Sequence, residues 1–102
     1  MKRIMVRYRV KPGQVEENER LVRAVYEELR DTAPAAMRYA TFRLDDGHSF
    51  VHLHDSGEGS PAMTELAAFR EFQAGIRERC EEPPAVTELS EIGSYNWPGE
   101  VS

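Results

Sequence analysis

The chain has one cysteine, two lysines, one tryptophan and no long apolar run in its 102 residues, and each shortage removes a class of protein. With Cys80 alone, no intrachain disulfide can form, which argues against a stapled secreted scaffold and against a thiolate metal site. No stretch approaches the roughly 20 consecutive apolar residues of a membrane-spanning helix. The opening MKRIMVRYRV alternates apolar with charged residues where a leader peptide would carry an unbroken apolar core. A cytoplasmic protein without a membrane partner is expected. The 13 Lys and Arg are outweighed by 18 Asp and Glu, for a formal charge of -5. No basic cluster is dense enough to neutralise a run of phosphates, so nucleic acid is not an expected partner.

What is present suits a small globular domain. Hydrophobic residues make up 40% of the chain and charged residues 30%, too apolar a mixture for a disordered polypeptide. The length holds one hydrophobic core and not two, so residues 1–97 are read as a single domain and 98–102 as a tail.

Periodicity supplies the elements. From Lys2 to Val10 the residues alternate, with Ile4, Val6, Tyr8 and Val10 on one face and Met5, Arg7 and Arg9 on the other. Pro12-Gly13 ends this strand. Val15, Val22, Val25, Tyr26 and Leu29 then recur at helical spacing from about Gln14 to about Asp31, with Glu16, Glu17 and Glu19 near the positive end of the helix. Pro34 cannot continue that helix, and Met37 to Asp45 reads as a second strand. Asp46-Gly47 between Leu44 and Phe50 signals a tight hairpin into a third strand, Phe50 to His54. Ser60 and Pro61 have the chemistry of a helix start. A second helix would bury Met63, Leu66, Ala67, Phe69, Phe72, Ile76 and Cys80, stop at Pro83-Pro84, and lead into a fourth strand, Val86 to Tyr95.

The order βαββαβ is that of an α+β ferredoxin-like domain. Its four antiparallel strands run in the order 4-1-3-2, with two helices on one face. The other face is left uncovered, yet the second strand is apolar in both registers, with Met37 and Tyr39 on one side and Ala40, Phe42 and Leu44 on the other. If Val51 and Leu53 face the helices, Phe50 and Met5 lie on the open side among Arg7, Arg9, His52 and His54. Such a surface predicts a homodimer packed sheet to sheet, the alternative being a monomer with an amphipathic open face.

Several segments resemble a known group. VRYRVKPG before an acidic amphipathic helix, the FVHLH strand, the FREFQAGIRERC helix and the ELSEIGSY strand resemble the dimeric α/β-barrel superfamily. Within it they are most similar to antibiotic biosynthesis monooxygenase-like domains, over about residues 3 to 95, and to a bacterial branch in which a helix like AFREFQAGIRERC is followed by EPP. The resemblance implies a barrel-like dimer with a cavity between sheet and helices or at the dimer face. It also implies a range of roles, from cofactor-free oxygenation of aromatic polyketides to haem degradation, isomerisation and dehydration. Active monooxygenase and haem-degrading members rely on an Asn with a Trp and a Tyr or His. Here Asn occurs only at Asn18 and Asn96 and Trp only at Trp97, and Asp55-Ser56-Gly57 stands where the usual Trp follows the third strand. That residue set does not transfer.

The candidate site is therefore read from the strands. His52 and His54 are the candidate catalytic groups, since an imidazole titrates near neutrality and can move a proton. Arg7, Arg9, Tyr39 and Phe50 are the candidate ligand-binding residues, with arginine holding an anionic or enolate oxygen and the rings enclosing a small aromatic ligand. A deprotonated phenol can itself pass an electron to dioxygen, so no cofactor is expected. The alternative is that the arginines serve ion pairs with Glu88, Glu91 or a partner subunit, in a structural or ligand-binding dimer without turnover. No metal is expected either, because the pair His52 and His54 lacks a third ligand and His48 sits at the hairpin turn. Tyr8 and Tyr39 could orient a phenol, although packing is the commoner role of such residues.

Overall fold

The computed structural model describes residues 2–57 and 62–96. The expected helix start at Ser60-Pro61, Trp97 and the tail lie outside the described residues. Strand β1 spans Lys2–Val10, helix α1 Val15–Thr32, β2 Met37–Arg43, β3 Ser49–Ser56, helix α2 Ala67–Ala74, the short helix α3 Ile76–Arg79, and β4 Cys80–Glu88. Single 3-10 turns at Pro12–Gln14 and Met63–Glu65 lead into α1 and α2. The sheet order is β2-β3-β1-β4 with every neighbouring pair antiparallel, as the sequence predicts.

Each boundary has a local cause. Helix α1 ends where Ala33 turns left-handed at φ 43° and donates its N–H to Leu29 O, one residue before Pro34. The β2–β3 hairpin turns through Gly47 at φ +87°, a conformation that costs a residue without a Cβ little. The Asp46 carboxylate secures the turn by accepting from the N–H of His48 and from both the N–H and the hydroxyl of Ser49. These bonds hold its pKa down to about 2. At the start of α2 the N-cap residue Leu66 makes no side-chain cap. Glu28 of α1 fills that role, accepting from Ala68 N at 2.8 Å and Ala67 N at 3.2 Å, and so ties the two helices together.

Two expectations about the second half of the chain are corrected. The second helix is interrupted, since Leu66 is extended at φ -86°, ψ 124° and Gly75 separates α2 from α3. The fourth strand begins at Cys80, so Pro83-Pro84 lies inside it instead of before it. The pairing explains why this is tolerated. Arg7 pairs with Ala85 and Arg9 with Glu82, so the two prolines oppose Tyr8 together in a bulge on an edge strand, where no ladder N–H is required of them. The strand ends at Glu88 and not near Tyr95, because Glu88 pairs with Ile4 and Leu89 N donates to Arg3 O, leaving little of β1 to pair with.

The core lies between the helices and one sheet face. Tyr8, Val10 and Phe50 of the sheet meet Leu21, Val22 and Val25 of α1, together with Met63, Leu66, Phe72 and Cys80. Tyr8 stacks on Phe50 with ring centroids 5.6 Å apart. The opposite face carries Met5, Arg7, Ala40, Phe42, Val51 and Leu53, with Phe42 48% exposed. No helix among the described residues is long and apolar enough to cross a membrane.

Candidate functional site

The face assignment of β3 is the main correction to the sequence reading. Residues opposite one another in an antiparallel pair share a face, and Tyr8 pairs with Phe50, Val6 with His52 and Ile4 with His54. Phe50, His52 and His54 therefore face the helices, while Val51 and Leu53 face the open side with Arg7 and Arg9. The predicted four-residue cluster is split by the sheet. The physical choice is between Phe50 with two histidines and the aliphatic pair Val51 and Leu53, one residue apart. Phe50 buries a whole ring against Tyr8, and the cost of taking His52 inside is offset because both of its nitrogens find partners. Arg7 is exposed. Arg9 pairs with Glu82 at 2.5 Å and Glu81 at 3.3 Å, the ion-pair alternative in kind though with different carboxylates. Arg3, at the other end of β1, pairs with Asp55 and Glu91.

The helix face holds a cavity of about 440 Å³, within the range of small-molecule sites. Ile4, Val6 and Val86 form its sheet side, and Met63, Phe69, Phe72 and Ile76 its helical side. At one end Tyr39, His52 and His54 supply polar atoms. Val86, on the edge strand, is 65% exposed. Of the predicted site residues, Tyr39, His52 and His54 thus come together, Phe50 supports them from the core at 2% exposure, and Arg7 and Arg9 are on the far side of the sheet.

A continuous hydrogen-bonded chain runs from the core into the polar end of the cavity wall. Arg79 Nε donates to Asn18 Oδ1 at 3.3 Å, and Asn18 Nδ2 donates to Tyr8 Oη at 2.9 Å. Tyr8 Oη lies 2.8 Å from His52 Nε2, and His52 Nδ1 lies 2.5 Å from Tyr39 Oη and 3.1 Å from Thr41 Oγ1. Thr41 Oγ1 is also 2.8 Å from Tyr26 Oη. Asn18 and Tyr8 are fully enclosed, and His52 is 3% exposed. Burial pushes the His52 pKa down to about 4, so the ring is neutral at pH 7. It pushes the phenols of Tyr8 and Tyr39 well above their ordinary range, opposed in part by the Asn18 bond in one case and the Thr41 hydroxyl in the other. Arg79, 6% exposed, is held by Phe72 O at 2.8 Å and lies over the Phe72 ring, 5.2 Å from its centroid.

His54 differs from His52. It is half-buried, and burial lowers its pKa against the pull of the Asp55 carboxylate. Its Nε2 is shielded from solvent and has no hydrogen-bond partner among the described residues. His48 is committed elsewhere, its Nδ1 lying 2.9 Å from Val10 O. Among the described residues no group of three or more His, Cys, Asp or Glu comes together as a metal site. Cys80 is buried at the start of β4, and burial raises its pKa.

Asn18 and Arg79 were missed as parts of the site. The available signal was position: Asn18 falls on the same stripe of α1 as Val15, Leu21, Val22 and Val25, where a polar amide must have a partner.

No family model and no curated protein matches the chain. Solved structures do. A crystal structure described as an antibiotic biosynthesis monooxygenase aligns with TM-score 0.70 over 91% of this chain and 100% of its own, at 15% identity. Rv0793 from Mycobacterium tuberculosis aligns with TM-score 0.72 over 91% and 96%, at 18% identity. PA3566 from Pseudomonas aeruginosa aligns with TM-score 0.72 over 90% and 94%, at 19% identity. Identity this low speaks for architecture and not for activity. The chain carries the ferredoxin-like fold of the antibiotic biosynthesis monooxygenase-like structures.

Proposed function

We propose that this protein is a cofactor-independent, monooxygenase-like enzyme acting on a small aromatic or enolisable molecule held in the helix-face cavity. The observation that carries the reading is the meeting of an apolar cavity of about 440 Å³ with a shielded imidazole nitrogen, His54 Nε2, that has no hydrogen-bond partner among the described residues. Phe69 and Phe72 receive the ring of the guest, and Tyr39 receives its oxygen. His54 Nε2 takes the proton from an acidic hydroxyl or from the carbon next to a carbonyl. The anion passes one electron to dioxygen, the radical pair combines into a C–O bond, and the peroxide picks up the proton from His54. Loss of water breaks the O–O bond and leaves a carbonyl, so a CH2 group and O2 become C=O and H2O. His52 is not the base, since both of its nitrogens are engaged with tyrosines.

Support also comes from the solved neighbour described as an antibiotic biosynthesis monooxygenase. The same reading includes a homodimer formed through the open sheet face, where Met5, Ala40, Phe42, Val51 and Leu53 gather opposite the helical layer. The competing reading, a dimer that binds its ligand without turnover, draws on the lowered pKa of His54, which weakens it as a base.

Oxygen uptake with a panel of enolisable aryl ketones that carry a CH2 next to the carbonyl tests the proposal. The expected result is consumption of one O2 per carbonyl formed, falling by about 100-fold in His54→Ala, the usual contribution of a general base. Ligands that bind in the cavity and consume no oxygen would leave the binding-only reading in its place.

A further inference from the structure

The chain of hydrogen bonds that ends at the cavity wall has a direction, and that direction is set at its buried end. Arginine has donors and no acceptor, so Arg79 Nε must give its proton to the oxygen of the Asn18 amide. The amide nitrogen is thereby turned toward Tyr8, whose oxygen accepts from it. Tyr8 is 1% exposed, and its own proton has His52 Nε2 as the one remaining acceptor along this chain. If Nε2 instead carried a proton, Tyr8 would take two donors and its hydroxyl hydrogen would be buried without an acceptor, an arrangement folded proteins avoid. The neutral imidazole therefore holds its hydrogen on Nδ1 and gives it to Tyr39 Oη, with Thr41 Oγ1 sharing it at the longer distance. Tyr39 enters its bond with His52 as an acceptor and keeps its own proton to offer at the cavity wall.

We infer that Asn18, with Arg79 behind it, acts as a positioning residue that makes Tyr39 a one-way hydrogen-bond donor, so that the cavity selects guests presenting an acceptor oxygen, a carbonyl or an enolate. This rests on the cavity being the binding site. It assigns a task to a buried arginine that belongs to none of the ion pairs formed among the described residues.

The polarity can be reversed by exchanging one atom. In Asn18→Asp the carboxylate, 3.3 Å from the Arg79 guanidinium in the position of the amide oxygen, stays ionised and accepts on both sides. Tyr8 must then donate to it, His52 must donate from Nε2 to Tyr8, and Tyr39 must donate inward to Nδ1. The cavity wall then offers a lone pair where it had offered a proton.

The test uses two bicyclic probes of similar size, 1-indanone, which only accepts, and indole, which only donates through N–H. Nitrogen NMR of the His52 ring reads the tautomer independently of either. The wild-type protein should show a hydrogen on Nδ1 and bind 1-indanone about tenfold tighter than indole, the difference of one hydrogen bond made or left unmade. Asn18→Asp should move the hydrogen to Nε2 and invert the preference. Tyr8→Phe, which cuts the chain and keeps the ring, should bring the ratio toward one and serves if the Asp variant does not fold. A wild-type ring protonated on Nε2, or a probe ratio unchanged when the tautomer reverses, would overturn the inference and leave the cavity as a binding site. Failure of both probes to bind any of the proteins would remove the cavity reading and this inference with it.

Discussion

Acid should destabilise this protein through His52 in a way that can be isolated. The folded ring titrates near pH 4 because burial disfavours its charged form, whereas in the unfolded chain it titrates near the ordinary value of about 6.5. As pH falls, the unfolded state takes up this proton first. The stability linked to His52 is thus complete above pH 6.5, declines between 6.5 and 4, and levels off below. The slope is about 1.4 kcal/mol per pH unit, or roughly 3 kcal/mol across the window. Urea unfolding at pH 7.0, 6.0, 5.0 and 4.5, run in parallel on wild type and His52→Gln, measures it. Carboxylates and the other histidines titrate in both proteins and cancel in the comparison. The wild-type curve should fall more steeply by close to one proton, whatever the offset between the two. Parallel curves would refute the argument, because they would mean that the ring is protonated as readily in the fold as out of it.

Other outcomes follow from the same structure. Tyr8→Phe should cost about 2–6 kcal/mol in urea unfolding, since it strands the Asn18 amide donor and the His52 Nε2 acceptor in the core at about 1–3 kcal/mol each. Phe50→Ala should cost about 3–5 kcal/mol by emptying the site against Tyr8. Gly47→Ala should cost roughly 1 kcal/mol in thermal unfolding, because a Cβ at φ +87° is strained although nothing lies within 4 Å of it. If the proposed sheet-to-sheet homodimer forms, Leu53→Lys on the open face should shift light scattering at low micromolar concentration from dimer to monomer while circular dichroism is unchanged.

The architecture was legible because its signals are local. Asp46-Gly47, the stripe of α1 and Pro34 each fix a boundary by sterics or periodicity, and the antiparallel order follows from them. The cavity's polar end was half legible. Tyr39, His52 and His54 are named by their chemistry, but Phe50-Val51-His52-Leu53-His54 sets one aromatic ring with two histidines against two aliphatic side chains, so alternation alone does not say which set faces the helices. Pairing with Tyr8 decides it, and that is a long-range fact. Arg7 and Arg9 were placed beside the histidines for the same reason. Asn18 and Arg79 are 61 positions apart and meet only in the folded chain, where the Arg79 side chain reaches α1 from the end of α3. Pro83-Pro84 reads locally as a helix stop, and only the edge position of β4 shows how a strand can contain it.

The proposed activity and selectivity both require a small guest to bind on the helix face of the sheet. Addition of hydroquinone to isotope-labelled protein, followed by carbon and nitrogen correlation NMR of the side chains, tests this most directly. Shifts confined to Tyr39, His52, His54, Phe69 and Phe72 are the predicted result. Shifts centred instead on Met5, Phe42, Val51 and Leu53 across the sheet, or a spectrum that does not move at millimolar hydroquinone, would contradict it.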